Sequence, residues 1–282
     1  MTWTRVVIDN LERTQNRVGR VGLGGNGYVG TEAIRGEMGW SSFEERIDKA
    51  NLNYKKRLEM MECNRWAKRV YIWDQRGSFV RKSLGLIKKY NFKRIWQVSL
   101  EGVISHWIIT VEGGLGWQWD SRKWKEIIDH KVAAYGLEKW KQGMIGKSTL
   151  EMYSKKPSPR RETFYDGSFN GTLLFKARTM SLEINSRTYR WNDEGSKLCQ
   201  VCGRCDETLE HVLAECPAYS DVREEFMGWI VTLIGTDERS RVNQNEDFGI
   251  GYILGLDRDV VEGTKGYLGR IWKVRKAKIG GD

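Results

Sequence analysis

Four residues carry the clearest chemistry in this chain. Cys199, Cys202, His211 and Cys216 fall in an 18-residue window with the spacing C-x2-C-x8-H-x4-C. Zinc takes thiolate and imidazole ligands four at a time in a tetrahedron, and a C-x-x-C turn directs two sulfurs at one ion. His211 and Cys216, in a helix expected to begin at Thr208, supply the other two ligands. Four protein ligands leave no position for a reactive water, so the pattern predicts a structural zinc and no catalytic one. Cys205 offers a rival register, because Cys202-Gly203-Arg204-Cys205 is a second C-x-x-C. The Cys199 register is preferred because Gly203 can close a knuckle behind Cys199 and Cys202, leaving Cys205 in the loop. Residues 1–10 lack a signal-peptide layout, and no apolar run has membrane-spanning length. The expectation is a cytoplasmic or nuclear protein with no membrane association, in which reduced cysteines bind metal and do not form disulfides. Cys63, isolated from the others, is assigned to helix packing.

The second set of residues is cationic and aromatic. The net charge is +10, unevenly placed: residues 41–100 hold fifteen Lys/Arg against six Asp/Glu, residues 155–191 eight against three, and residues 192–262 six against sixteen. Positive blocks suit a polyanionic partner, because neutralising phosphates releases counterions. In the first block Arg65, Lys68 and Arg69 lie beside Trp66, Tyr71 and Trp73; in the second Lys176, Arg178, Arg187 and Arg190 lie beside Tyr189 and Trp191. Rings among cations compose a surface that stacks unpaired bases. Core packing competes for the same rings, since thirteen Trp residues cannot all be platforms. Asp206, Glu207, Glu210 and Glu215 surround the metal ligands and would repel phosphate. Zinc is therefore expected to order the fold while the basic segment from Lys176 to Arg190 touches nucleic acid.

The elements that must position these residues read as mainly α. Prolines are confined to Pro157, Pro159 and Pro217. A helix ends near Val21, and the glycine-rich turn at 22–27 follows. Its letters fit G-x-G-x-x-G, but no buried strand precedes it, so it is read as a helix–helix connection and not a dinucleotide site. Ser41 and Ser42, each three residues before a glutamate, form a capping box ahead of the apolar stripe Phe43, Ile47, Ala50, Tyr54, Leu58 and Met61. A second helix is expected over 121–142 and a closing amphipathic helix over 218–234. The domains expected are a basic helical region at 1–154, a linker at 155–160, a basic segment with the zinc module at 161–235, and an irregular tail at 236–282.

Leu173-Leu174-Phe175-Lys176-Ala177-Arg178-Thr179, then Asn185-Ser186-Arg187-Thr188-Tyr189-Arg190-Trp191, then the Cys/His pattern, resembles the C-terminal end of LINE-type, non-LTR retrotransposon reverse transcriptases. The run YVGTEAIRGEMGW at 28–40, followed by Ser41-Ser42-Phe43, resembles the helical region behind the palm in the same proteins. The resemblance is specific over 175–216, looser over 21–73 and weak elsewhere. It implies a post-palm helical region followed by a zinc-knuckle-like module with ligands Cys199, Cys202, His211 and Cys216, associated with element RNA or target DNA during target-primed reverse transcription. That family places its polymerase carboxylates, which hold two metal ions, in a Tyr-x-Asp-Asp loop. This sequence has no adjacent Asp-Asp, and fingers, palm and an endonuclease domain are not expected within it. The expectation is a non-enzymatic piece with zinc as cofactor and RNA or single-stranded DNA as partner, and with the remainder of a reverse transcriptase as a second candidate partner. The alternative is a zinc-stapled protein-interaction module that docks onto a polymerase.

Overall fold

The computed structural model describes residues 3–74, 76–98, 105–111, 114–115, 121–189, 195–234, 250–251, 253–255 and 258–280. The fold is mainly α, with one small antiparallel sheet. Met1–Thr14 with Ser41–Gln142 form one compact unit, and Gln15–Trp40 with Gly143–Asp282 form a second. Helix α1 (Arg5–Leu23) runs from the first unit into the second. Among the described residues no helix is long and apolar enough to cross a membrane.

In the first unit, α3 (Phe43–Met60) starts at the expected capping box: Ser42 Oγ accepts from the Glu45 backbone N–H and Ser42 N donates to the Glu45 carboxylate. Leu52 of α3 meets Leu86 and Ile87 of α5 (Ser78–Lys89), Tyr90 and Phe92 just beyond it, and Trp124, Ile128 and Val132 of the 22-residue α6 (Ser121–Gln142). Between α5 and α6, β1 (Lys93–Val98) pairs antiparallel with β2 (Ser105–Val111), Ile95 opposite Ile108, and β2 pairs with β3 (Gly114–Leu115). The helical periodicity of the flanks gives no hint of this hairpin. Its strands are rich in the β-branched and aromatic residues that favour a pleated backbone. Helix α4 (Trp66–Trp73) follows α3. Lysines that the apolar stripe leaves on the polar side of α3 turn inward. Lys55 and Lys56 are 2% and 7% exposed; Lys55 donates to Tyr71 Oη at 2.7 Å, and the Lys56 ammonium lies 5.1 Å from the Trp124 ring centre. Cys63 is exposed in the turn after α3, so helix packing does not account for it.

The second unit contains α2 (Thr31–Met38), α7 (Glu151–Ser154), α8 (Phe169–Arg178), α9 (Asn185–Thr188), α10 (Ser220–Ile234) and α11 (Val261–Ile279). The turn after α1 connects two helices, as expected, and needs its glycines. Gly24 has φ +66°, and a Cβ there would lie 2.5 Å from the Thr172 side chain. Two expected boundaries fall elsewhere. Residues 155–160 do not separate units, because they are strapped to α2: Lys156 pairs with Glu37 at 3.2 Å, Arg160 N donates to Gly36 O, and Met38 bridges Arg161. The segment expected to be an irregular tail holds the 19-residue α11. Two of its three glycines are packing sites: a Cβ at Gly263 would fall 2.2 Å from the Trp229 ring, and one at Gly269 would fall 2.4 Å from Asn170. Val261, Tyr267, Leu268 and Ile271 of α11 are buried, as are Leu173, Leu174 and Phe175 of α8.

Candidate metal centre

Local backbone geometry assembles the Cys/His group. Leu198 and Asp206 form an isolated antiparallel bridge, and Cys199 N donates to Cys205 O at 2.8 Å. Gly203 N donates to Cys199 O at 2.8 Å, with Gly203 in the left-handed region at φ +66°. This closes the knuckle on Gly203 and brings Cys202 round toward Cys199. On the other side, Thr208 Oγ1 accepts from His211 N and starts the expected helix. Its next turn is not α: His211–Glu215 is a π-turn, closed by Cys216 N donating to His211 O at 2.7 Å. At 3.6 residues per turn, positions five apart face different ways. The wider i→i+5 turn brings His211 and Cys216 to one side.

The ligand atoms of Cys199, Cys202, His211 and Cys216 all lie within 4.8 Å of one another. Cys199 Sγ and Cys216 Sγ are 3.9 Å apart, and Cys202 Sγ is 3.3 Å from His211 Nε2. Zinc–sulfur bonds of about 2.3 Å and zinc–nitrogen bonds of about 2.0 Å in a tetrahedron separate such pairs by roughly 3.8 and 3.5 Å. The donor set and spacing therefore fit, and the chain presents a Cys3His group able to hold a metal ion such as zinc. Cys199, Cys216 and His211 are buried, whereas Cys205 is exposed and lies outside the cluster. Burial pushes the Cys202 thiol up, but hydrogen bonds from the Arg204 backbone and from His211 outweigh it and bring it down to about 7. Burial lifts Cys216 to about 12. A bound cation would deprotonate both, which makes metal uptake proton-releasing. His211 Nδ1 is buried without a hydrogen bond, with Glu215 Oε2 3.6 Å away.

Sequence reasoning missed the polar residues behind the ligands. Glu207 does not face solvent to repel phosphate. It is fully buried and paired with Arg275 of α11 through Nε–Oε1 at 3.2 Å and Nη2–Oε2 at 2.9 Å. Asn185, at the start of α9, donates its backbone N–H to Glu207 Oε2 at 2.7 Å. Nothing in the local spacing around the cysteines points to a partner this far along the chain.

The residues expected to touch nucleic acid separate into groups. Arg178 is buried, donating to Leu254 O at 2.8 Å and Glu37 Oε1 at 3.1 Å and also to Gly255 O, so it is a structural cation and no surface contact. Lys68 is likewise buried and donates to Glu59 O at 2.9 Å; burial lowers its pKa. Lys176 pairs with Glu183 at 2.9 Å. Arg187 donates to Ser181 O and lies over the Tyr28 ring. Tyr189 is half-buried with the Lys197 ammonium 4.4 Å from its ring centre. Arg190 and Trp191 lie outside the described residues. Arg65 and Arg69 are exposed, and Arg69 sits between Trp66 and Trp73, 5.2 and 5.7 Å from their ring centres. Comparison of the chain with family models, curated proteins and solved structures returned no match.

Proposed function

We propose that the chain is a non-catalytic protein that binds single-stranded nucleic acid, with a zinc-stapled second unit, and that it corresponds to the post-palm and C-terminal region of a LINE-type reverse transcriptase. The observation that carries this reading is the outer face of α4. Trp66 and Trp73 are 72% and 73% exposed, although indoles ordinarily contribute to cores. At i, i+3 and i+7, Trp66, Arg69 and Trp73 share one helix face, and the two rings are about 10 Å apart along the axis. That leaves room for one unpaired base on each ring, with Arg65 and Arg69 placed for the intervening phosphates. The net charge of +10 supports the same partner. Zinc, on this reading, orders the metal module and takes no part in chemistry. The docking-module alternative is favoured by Lys176, Arg178 and Arg187, whose cationic groups are engaged within the protein ahead of the metal ligands.

Titration with a single-stranded RNA or DNA oligomer, followed by tryptophan fluorescence at several salt concentrations, tests the proposal. We expect quenching and salt-dependent affinity. Trp66→Ala with Trp73→Ala should weaken binding at least tenfold, since each stacked base contributes about 1–3 kcal/mol. Arg65→Ala with Arg69→Ala should reduce the salt slope by about 1.4, at about 0.7 per phosphate contact on a single strand. Absence of binding at low salt would overturn the nucleic-acid reading in favour of docking onto a protein.

A further inference from the structure

We infer that Arg275, on the C-terminal helix α11, is the counterion that lets the Cys3His group carry its metal, and that metal loading and docking of α11 are one coupled equilibrium. The inference rests on the reading of that group as a zinc site.

Glu207 lies against the Cys199 thiol. Its carboxylate is fully buried, with Oε1 3.9 Å from Cys199 Sγ. A divalent ion held by three thiolates and a neutral imidazole leaves one net negative charge, and Glu207 adds another beside it in a water-poor interior. Buried like charges at this distance are strongly unfavourable unless a cation faces them. Arg275 supplies that cation in the strongest available form, two parallel hydrogen bonds of 3.2 and 2.9 Å to the two carboxylate oxygens.

The same guanidinium reaches the knuckle directly, Nη2 donating to Gln200 Oε1 at 3.3 Å, and Gln200 lies between ligands Cys199 and Cys202. Gln200 Nε2 donates to Asn185 Oδ1 at 2.9 Å, and Asn185 Nδ2 donates to Leu198 O at 2.7 Å. The two residues flanking Cys199 are thus held by α9 and α11 together. A second tie from α11 reaches the other pair of ligands: Tyr267 Oη donates to Leu213 O, within the π-turn between His211 and Cys216. Both halves of the metal group are therefore anchored to one helix. If seating α11 favours the bound ion, the ion must favour the seated helix by the same factor.

Zinc affinity of the full chain, measured by competition with a chromophoric chelator, tests this on Arg275→Ala, Arg275→Lys, Glu207→Gln and the double variant Arg275→Ala/Glu207→Gln. Arg275→Ala should weaken zinc binding about 10- to 100-fold, the range for residues that orient ligands from behind. Lysine, a point charge without the fork, should recover only part of the loss. Glu207→Gln in the Arg275→Ala background should restore affinity, because no uncompensated carboxylate then remains. Amide exchange supplies a readout independent of affinity: zinc should slow exchange across Val261–Ile279 in the wild type, and less so in Arg275→Lys, which keeps the charge if Arg275→Ala fails to fold. A wild-type chain that takes up no zinc overturns both the metal reading and this inference. Wild-type zinc uptake with unchanged affinity in both Arg275 variants, or with exchange in α11 indifferent to zinc, overturns this inference alone.

Discussion

Leu52, Ile87, Ile128 and Val132 in the first unit are buried side chains with no hydrogen-bonding capacity, and they meet across three helices. Between residues 195 and 216 the second unit buries two thiols, an imidazole and a carboxylate. An apolar core degrades by degrees, because each lost methylene removes a bounded amount of burial. A buried polar group is close to all-or-none, because removing one member leaves the others unpaired in a low-dielectric interior. Substitutions in the two regions should therefore differ in size and in kind.

The largest effect is expected at the metal ligands. Purified protein should carry about one equivalent of zinc, and serine at Cys199, Cys202 or Cys216, or alanine at His211, should lose it and unfold the metal module. Zinc in small sites contributes on the order of 10 kcal/mol to folding, so helicity of the first unit should outlast that of the second in a thermal melt. Metal analysis finding no zinc in protein produced with zinc present would break the comparison at its root. Cys205→Ser is the internal control and should leave the metal in place.

Next comes a second buried charge pair, Arg178 with Glu37. Arg178→Ala leaves Glu37 with Lys156 as its remaining cation and should cost about 3–5 kcal/mol. Replacing Arg178 and Glu37 together by apolar residues of similar size should cost less than Arg178→Ala alone, as read by denaturant midpoints. Equal losses would show that packing, and not charge, sets the effect. In the first unit, Leu52→Ala should cost about 2–5 kcal/mol through cavity formation and leave zinc content unchanged. Loss of zinc in that variant would show that the two units do not fold as separate cooperative bodies.

The smallest effect concerns pH. Glu44 is pushed up by burial, but hydrogen bonds from Lys139 and Lys89 outweigh that and lower its pKa from 4.5 to about 2. A carboxylate with a depressed folded pKa contributes stability that is complete above about pH 4.5 and is lost as the pH falls toward 2. Chelator-treated protein, in which acid release of metal plays no part, should lose stability over that window, and Glu44→Gln should flatten the loss. An identical acid limb in the variant would assign it to other carboxylates.

Much of this was legible because the signals are local. The capping box at Ser42 spans four residues, and the knuckle that Gly203 closes on Cys199 spans five. The 3.6-residue period drew α3 and α6, and thiol and imidazole spacing drew the ligands. What could not be read depends on distant chain. Arg275 and Glu207 meet across 68 positions, and glutamate in an acidic run reads as solvated until its cation is found. The helix α11 was hidden because Gly263, Gly266 and Gly269 read as breakers, yet Gly263 and Gly269 face side chains that would collide with a Cβ. Lys68 and Arg178 read as surface cations because charge alone does not reveal whether a carbonyl or carboxylate waits inside.

The π-turn between His211 and Cys216 has a consequence for how this segment tolerates change. Val212 and Leu213 are fully buried and so constrained in kind, whereas the number of residues from 212 to 215 sets how His211 and Cys216 face one another. Removing one of them would leave the two side chains four apart, a spacing at which an ordinary α turn already puts both on one face, so the pair would survive the loss. Inserting one would leave them six apart, a spacing that an α turn points in different directions, and one side chain would swing away from the other. A single-codon insertion here should therefore disrupt the Cys3His group more than a single-codon deletion, and substitutions at exposed Glu215 should be absorbed more readily than at buried Val212 or Leu213.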